Sequence, residues 1–234
     1  MLKNAVLAAA LGVCGLAQAD TLTFEGAVDS PFVYAGDHLT VGKYWIESYG
    51  IGATQSGDYV GMFIDGSDNG LCVGLSCPVN NASQYYAGLN DGYFYFGLEG
   101  DAAFKMRSLQ ASFIGVGQTF PSSVAAVLVL QGFDANNQTV GAAWQINLPS
   151  PDANGVFNFI NYDLSATNFG KADYSYVRIL GYACGADGSC NSGVGLVNFA
   201  VDNIVTSAVP EPAAWVLYGL GLMGLGAYAR KRTT

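Results

Sequence analysis

Tyr93-Phe94-Tyr95-Phe96 alternates phenol and phenyl rings with a period of two. Successive strand side chains point to opposite faces, so Phe94 and Phe96 share one face and two hydroxyls the other. The same alternation recurs on either side. Thr21 to Glu25 opens with apolar Leu22 and Phe24, and Phe104-Lys105-Met106-Arg107 turns its charges outward. Val124 to Phe133 is apolar almost throughout and reads as a strand buried on both faces. Tyr44 to Ser48, Tyr59 to Ile64, Thr139 to Leu148, Phe157 to Tyr162, Tyr174 to Gly181 and Gly195 to Val205 complete a set of about ten strands.

Turn chemistry separates them. Asp65-Gly66-Ser67-Asp68-Asn69-Gly70, Asn90-Asp91-Gly92, Asp134-Ala135-Asn136-Asn137, Pro149-Ser150-Pro151-Asp152 and Asp187-Gly188 accept positive φ or bond their own backbone. With no amphipathic helix evident, short strands joined by turns predict an all-β fold, an antiparallel jelly-roll-like β-sandwich. No internal repeat or interdomain linker is evident.

The two ends read differently. Lys3 is a positive n-region, Ala5 to Leu16 an apolar stretch, and Ala17-Gln18-Ala19 a small-residue cleavage site, so residues 1–19 are expected to be a signal peptide. Cys14 follows the bulky Val13, which argues against a lipidated cysteine. At the other end Pro210-Glu211-Pro212 precedes the uncharged run Ala213 to Ala229 and then Arg230-Lys231-Arg232. Seventeen helical residues reach roughly 26 Å, just short of a hydrocarbon core of about 30 Å. Such a transmembrane helix is a marginal anchor, and the basic cluster places its C-terminus in the cytoplasm. An ordinary single-pass anchor is the competing reading.

Pro210-Glu211-Pro212, a glycine-broken apolar stretch and a terminal Arg-Lys-Arg resemble the PEP-CTERM sorting signal, here residues 209–234. The resemblance implies recognition by an exosortase-type enzyme after signal peptidase has acted. It further implies transient residence in the inner membrane and delivery to the envelope, surface or matrix of a Gram-negative, exopolysaccharide-making bacterium. Residues 20–208 would be the ectodomain. Its stretch Phe104 to Val205 also resembles jelly-roll ectodomains of such proteins, in Val127 to Leu130, Gly132-Phe133-Asp134 and Val201-Asp202-Asn203-Ile204.

Between the ends, five Lys or Arg face seventeen Asp or Glu, a net charge of −12. Nucleic acid is therefore excluded as a partner and cations are favoured. Cys72, Cys77, Cys184 and Cys190 form an even set in an exported chain, which reads as disulfides. Spacing suggests Cys72–Cys77 and Cys184–Cys190 among three pairings. A zinc site is disfavoured, because neither pair is CxxC and the single histidine is distant.

Catalytic constellations are sparse. His38 is the only histidine and lies in a polar turn beside Asp37, and no Gly-x-Ser-x-Gly elbow occurs. A carbohydrate-active enzyme built on paired carboxylates is the alternative function, with seventeen carboxylates from which to draw. A structural Ca²⁺ is the candidate cofactor. Jelly-roll sugar-binding modules pin their first and last strands this way, which points to Glu25 and Asp202. The Asp65–Asp68 loop lacks the later glutamate of a calcium loop and reads as a plain turn. Fourteen tyrosines and three tryptophans suit glycan stacking. Tyr93 and Tyr95, or Tyr85-Tyr86, are candidate platforms, whereas Trp45 and Trp144 read as core. The expectation is a non-enzymatic exported protein with a structural, adhesive or glycan-binding role in an exopolysaccharide matrix.

Overall fold

The computed structural model describes residues 19–209, apart from 27–29, 53–56, 73, 116–122 and 192–196. Residues 1–18 of the expected signal peptide, Pro210-Glu211-Pro212, the helix expected over 213–229 and Arg230-Lys231-Arg232 lie outside the described residues, as does Cys14; Ala19, the expected last residue of the signal peptide, is described and opens a strand. Residues 19–208 form one compact unit.

Thirteen strands are described. They are β1 (Ala19–Leu22), β2 (Phe32–Tyr34), β3 (His38–Val41), β4 (Tyr44–Gly50), β5 (Tyr59–Asp65), β6 (Gln84–Gly88) and β7 (Gly92–Leu98). They continue with β8 (Phe104–Phe113), β9 (Val124–Phe133), β10 (Thr139–Pro149), β11 (Ile160–Asp163), β12 (Tyr176–Ala183) and β13 (Phe199–Ala208). One helical turn, α1 (Asn168–Lys171), is capped by Thr167, whose hydroxyl accepts from the Gly170 amide. The first sheet runs β11-β8-β13-β6-β5-β2, with β1 also paired to β13, and the second runs β10-β9-β12-β7-β4-β3. All these pairings are antiparallel. The result is the expected jelly-roll-like β-sandwich.

Hydrophobic alternation builds the layer between the sheets. Phe94 and Phe96 of β7, Ile46 of β4, and Val177 and Ile179 of β12 are fully buried there. From the first sheet come Phe63, Tyr86, Leu109, Phe113, Phe199, Val201 and Ile204. Phe94 packs on Tyr86 with ring centroids 4.5 Å apart, and Phe96 on Phe104 at 5.6 Å. Each such ring contributes about 2–3 kcal/mol through burial.

A second cluster covers the outer face of the first sheet. Met62, Ile64, Tyr85, Ala87, Leu89, Ile114, Phe159 and Ala200 pack there with Cys72, Leu75 and Cys77. The chain over 66–83 lies across this face, bonded through Ser76 N–H to the Gly115 carbonyl at 2.7 Å. Asn80 fastens it further, its Oδ1 accepting from Phe159 N–H at 2.6 Å and its Nδ2 donating back to the Phe159 carbonyl. Tyr85 and Tyr86 therefore point to opposite faces and are both fully buried. This corrects the expected exposed Tyr85-Tyr86 platform. Periodicity cannot show that a loop will cover a sheet.

Both suggested disulfides are formed, Cys72–Cys77 and Cys184–Cys190. The Asp65 turn is a plain Asx turn, its Oδ1 accepting from Ser67 N–H and Oγ–H at 2.8 and 2.7 Å. Val124–Phe133 matches its expected bounds, while three strands escaped the pattern: Phe32–Tyr34, His38–Val41 and Gln84–Gly88. The first two are only three and four residues long, and the third is apolar on both faces. Strand β11 begins later than expected, at Ile160, because the Phe157 carbonyl and both backbone groups of Phe159 bond to Val79 and the Asn80 side chain rather than to a neighbouring strand.

Phe94→Ala is expected to lower unfolding free energy by about 3–5 kcal/mol in urea titration. Tyr93→Ala, one residue along on the open face, is expected to cost less than half of that.

Candidate functional site

Neither apolar cluster covers the outer face of the second sheet. Cross-strand register lays out its side chains in rows. Trp45 of β4 stands opposite Gly97 of β7, Gly97 opposite Tyr176 of β12, and Tyr176 opposite Phe133 of β9. The next row holds His38, Glu47, Tyr95, Arg178 and Gln131. The third brings Tyr49 opposite Tyr93.

The missing side chain at Gly97 shapes this surface. A Cβ there would lie 2.7 Å from the Trp45 indole, so the ring lies across the glycine and leaves a trough. Phe133 and Tyr176 are stacked with centroids 4.8 Å apart, and Trp45 meets Tyr176 at 5.9 Å. Tyr95 closes the group, 5.8 Å from Tyr176 and 5.9 Å from both Tyr49 and Tyr93. The trough is about 430 Å³, with Glu47, Asp101, Asn137 and Ser175 as its polar lining.

Polar contacts hold the rings in place. Asn137, at φ +61° in the β9–β10 turn, accepts a 2.9 Å bond from the Tyr176 hydroxyl. Both Glu47 oxygens are engaged, one with His38 Nδ1 at 3.0 Å and one with the Tyr49 hydroxyl at 3.2 Å. Burial, then the nearby Glu47 charge, raises the Tyr49 pKa, and burial with Tyr95 raises that of Tyr93. Neutral phenols result, able both to donate and to accept.

Tyr93 and Tyr95 thus lie on this face, half-buried. Trp45 does too, which corrects its reading as core. Trp144, 37% exposed on edge strand β10, corrects the other. His38, expected in a solvated turn, instead opens β3 and stacks on Trp45 at 6.2 Å. The alternation in Tyr44 to Ser48 could have placed Trp45 beside Glu47, opposite Ile46. Tryptophan's high average burial points the other way.

Glu25 and Asp202 are brought to one loop on the other side of the molecule. Asp202 is fully buried where β13 bulges, its register slipping between Asp202 and Val205 with Asn203 at φ +49°. Its Oδ2 accepts from Asn81 Nδ2 at 2.8 Å, Ser83 Oγ at 2.6 Å and Asn203 Nδ2 at 3.1 Å. Its Oδ1 accepts from the Asn203 amide at 2.7 Å. Glu25 Oε1 accepts from the Gln84 amide at 2.9 Å. Burial raises the Asp202 pKa; these donors oppose the shift, and the Glu25 charge adds to it. The Asn81 side chain is held with its oxygen away from Asp202, because Oδ1 accepts from the Ser83 backbone N–H at 2.8 Å. Among the described residues no three His, Cys, Asp or Glu side chains converge as metal ligands. In this arrangement both carboxylate oxygens of Asp202 accept from proton donors, whereas calcium takes six to eight oxygen ligands.

Among known proteins, residues 208–232 match the family model of the PEP-CTERM protein-sorting motif. This tail indicates export and membrane-anchored sorting. No curated protein sequence matches the chain. Among solved structures, the enzymatically active domain of bacteriophage CBA120 tailspike protein 4 is similar at 14% identity and TM-score 0.34. That alignment covers 72% of this chain and 20% of the tailspike chain. This chain therefore spans about a fifth of that one. A family 29 carbohydrate-binding module aligns at 8% identity and TM-score 0.35, over 82% of this chain and 86% of the module. The CBM22-1 xylan-binding domain of Paenibacillus barcinonensis Xyn10C aligns at 12% identity and TM-score 0.30, over 83% and 98%. Likenesses this distant assign no ligand.

Asp202→Ala is expected to destabilise the protein by about 3 kcal/mol or more in denaturant titration, because it strands buried donors on Asn81 and Ser83. Excess Ca²⁺ is expected to leave the wild-type melting temperature unchanged; a rise reversed by chelator would show that the ion can displace this cage.

Proposed function

We propose that this exported protein binds polysaccharide on the outer face of its second sheet, without catalysis, as a structural or adhesive component of an extracellular matrix. The open aromatic trough formed by Trp45, Tyr95, Phe133 and Tyr176 carries the reading. Sugar rings present C–H faces that stack on aromatic rings, and equatorial hydroxyls that pair with carboxylates, amides and phenols. Trp45 and Tyr176 supply the first, and Glu47, Asp101 and Asn137 the second. The trough is open rather than closed over, which suits an internal stretch of a chain. Glu47 has both oxygens committed to His38 and Tyr49, which favours a positioning role over acid–base work.

Delivery rests on the two ends. A signal peptidase removes residues 1–19, and an exosortase-type enzyme recognises the tail and releases the domain from the inner membrane to the surface or matrix. The Gram-negative envelope is the destination that such a tail supports. No nucleic acid partner is expected for a domain of net charge −12.

Pull-down of the full-length protein on a panel of insoluble and immobilised polysaccharides tests the reading. Trp45→Ala and Tyr176→Ala are each expected to weaken binding about tenfold, the size of a buried aromatic anchor. Gly97→Val keeps every ring but displaces the indole, and is expected to weaken binding as well. Binding untouched by all three would reject this face. Release of soluble sugar would instead support hydrolysis by the alternative carboxylate pair.

A further inference from the structure

Arg178 stands in the middle of the aromatic face, opposite Tyr95 on one side and Gln131 on the other. Its guanidinium lies over the Phe133 ring, 6.0 Å from the centroid. Its Nε is buried and has no hydrogen-bond acceptor. The other cations whose surroundings are described are placed differently. Lys43 pairs with Asp20, Lys105 with Asp173, and Arg107 donates to Ser207 Oγ and the Gly170 carbonyl. Lys171 is exposed at the end of α1.

Among the described residues no carboxylate lies within ion-pair distance of Arg178. Seventeen carboxylates surround just five cations in this part of the chain, so a counter-charge was readily supplied elsewhere. A partly buried guanidinium without one is a cost to folding, and such costs cluster at ligand sites. With Nε enclosed, the two Nη groups are the edge of its planar fork that can meet a carboxylate end-on in two parallel hydrogen bonds, which a hydroxyl cannot reproduce. From these observations we infer that the face selects an acidic polysaccharide, with Arg178 receiving the carboxylate of a uronic-acid unit while a neighbouring ring stacks on the aromatic trough. This rests on the polysaccharide reading of the same face and deepens it.

In the same cross-strand row the opposing charge is Glu47, two strands away across Tyr95, or about 10 Å at ordinary strand spacing; Asp101 also lines the trough. Repulsion at that distance in water weakens binding by only about twofold. A charge-assisted pair with the guanidinium strengthens it by about tenfold or more. The local pair therefore outweighs the Glu47 repulsion, and salt screens the more distant charges.

Titration calorimetry of the full-length protein against polygalacturonate and alginate, each beside its carboxyl-reduced neutral form, tests this. Wild type is expected to bind the acidic polymers about tenfold tighter than the reduced ones. Arg178→Gln is expected to bring that ratio to about one, and Arg178→Lys to leave it in between. Lys171→Gln removes the same charge at a distance and is expected to keep the ratio. Equal affinity of wild type for acidic and reduced polymers overturns the inference while leaving the aromatic platform standing. Absence of binding to any of the four removes the platform, and the inference with it. An unchanged melting temperature in Arg178→Gln shows that a lost ratio comes from recognition and not from unfolding.

Discussion

The register between β4, β7, β12 and β9 is the constraint on which the molecule depends. A slip of one residue in any of these strands would move Phe94, Phe96, Ile46 or Ile179 out of the core and drive tyrosines into it. Burial of those apolar side chains penalises every such slip by several kcal/mol. The core therefore decides which residues face outward. Trp45, Tyr95, Tyr176 and Phe133 share one surface because their chain neighbours are locked on the other.

The two sheets use that constraint differently. In the first, the inner face packs on the sandwich core, and the outer face at β5 and β6 is covered by described residues of the 66–83 stretch, which the Cys72–Cys77 disulfide staples. The second leaves its outer face open. Large aromatic side chains on an open sheet are half-solvated and would be costly without a use. The trough at Gly97, the Asn137 bond to Tyr176 and the doubly engaged Glu47 all hold the rings in place. Such preorganisation lowers the entropy lost on binding.

Much of this was legible in the chain and some was not, for reasons that differ by residue. Tyr93 to Phe96 announced its two faces directly, and Val124 to Phe133 its full extent, because both patterns are local. Tyr85-Tyr86 misled, since its burial depends on a loop folding back over a sheet. Trp45 misled in the opposite sense: it is half-buried on a sheet face that no described segment covers, a property of the whole fold. Glu25 and Asp202 could be placed together from strand order. The donors from Asn81 and Ser83 that surround Asp202 belong to a loop without periodicity. Arg178 went unremarked because a lone arginine in a strand carries no sequence signal. It becomes informative only when the missing carboxylate partner is visible.

The tail and the domain then make a coherent pair: a sorting motif at residues 208–232 behind a compact acidic sandwich that presents one aromatic face. Hydrogen–deuterium exchange of the full-length protein with and without a captured polysaccharide asks most directly whether that face is the one in use. The account predicts protection concentrated in peptides covering 44–50, 92–98 and 176–183, with 61–65 and 84–88 unchanged. Protection confined to the covered sheet, or spread evenly over both, would contradict it.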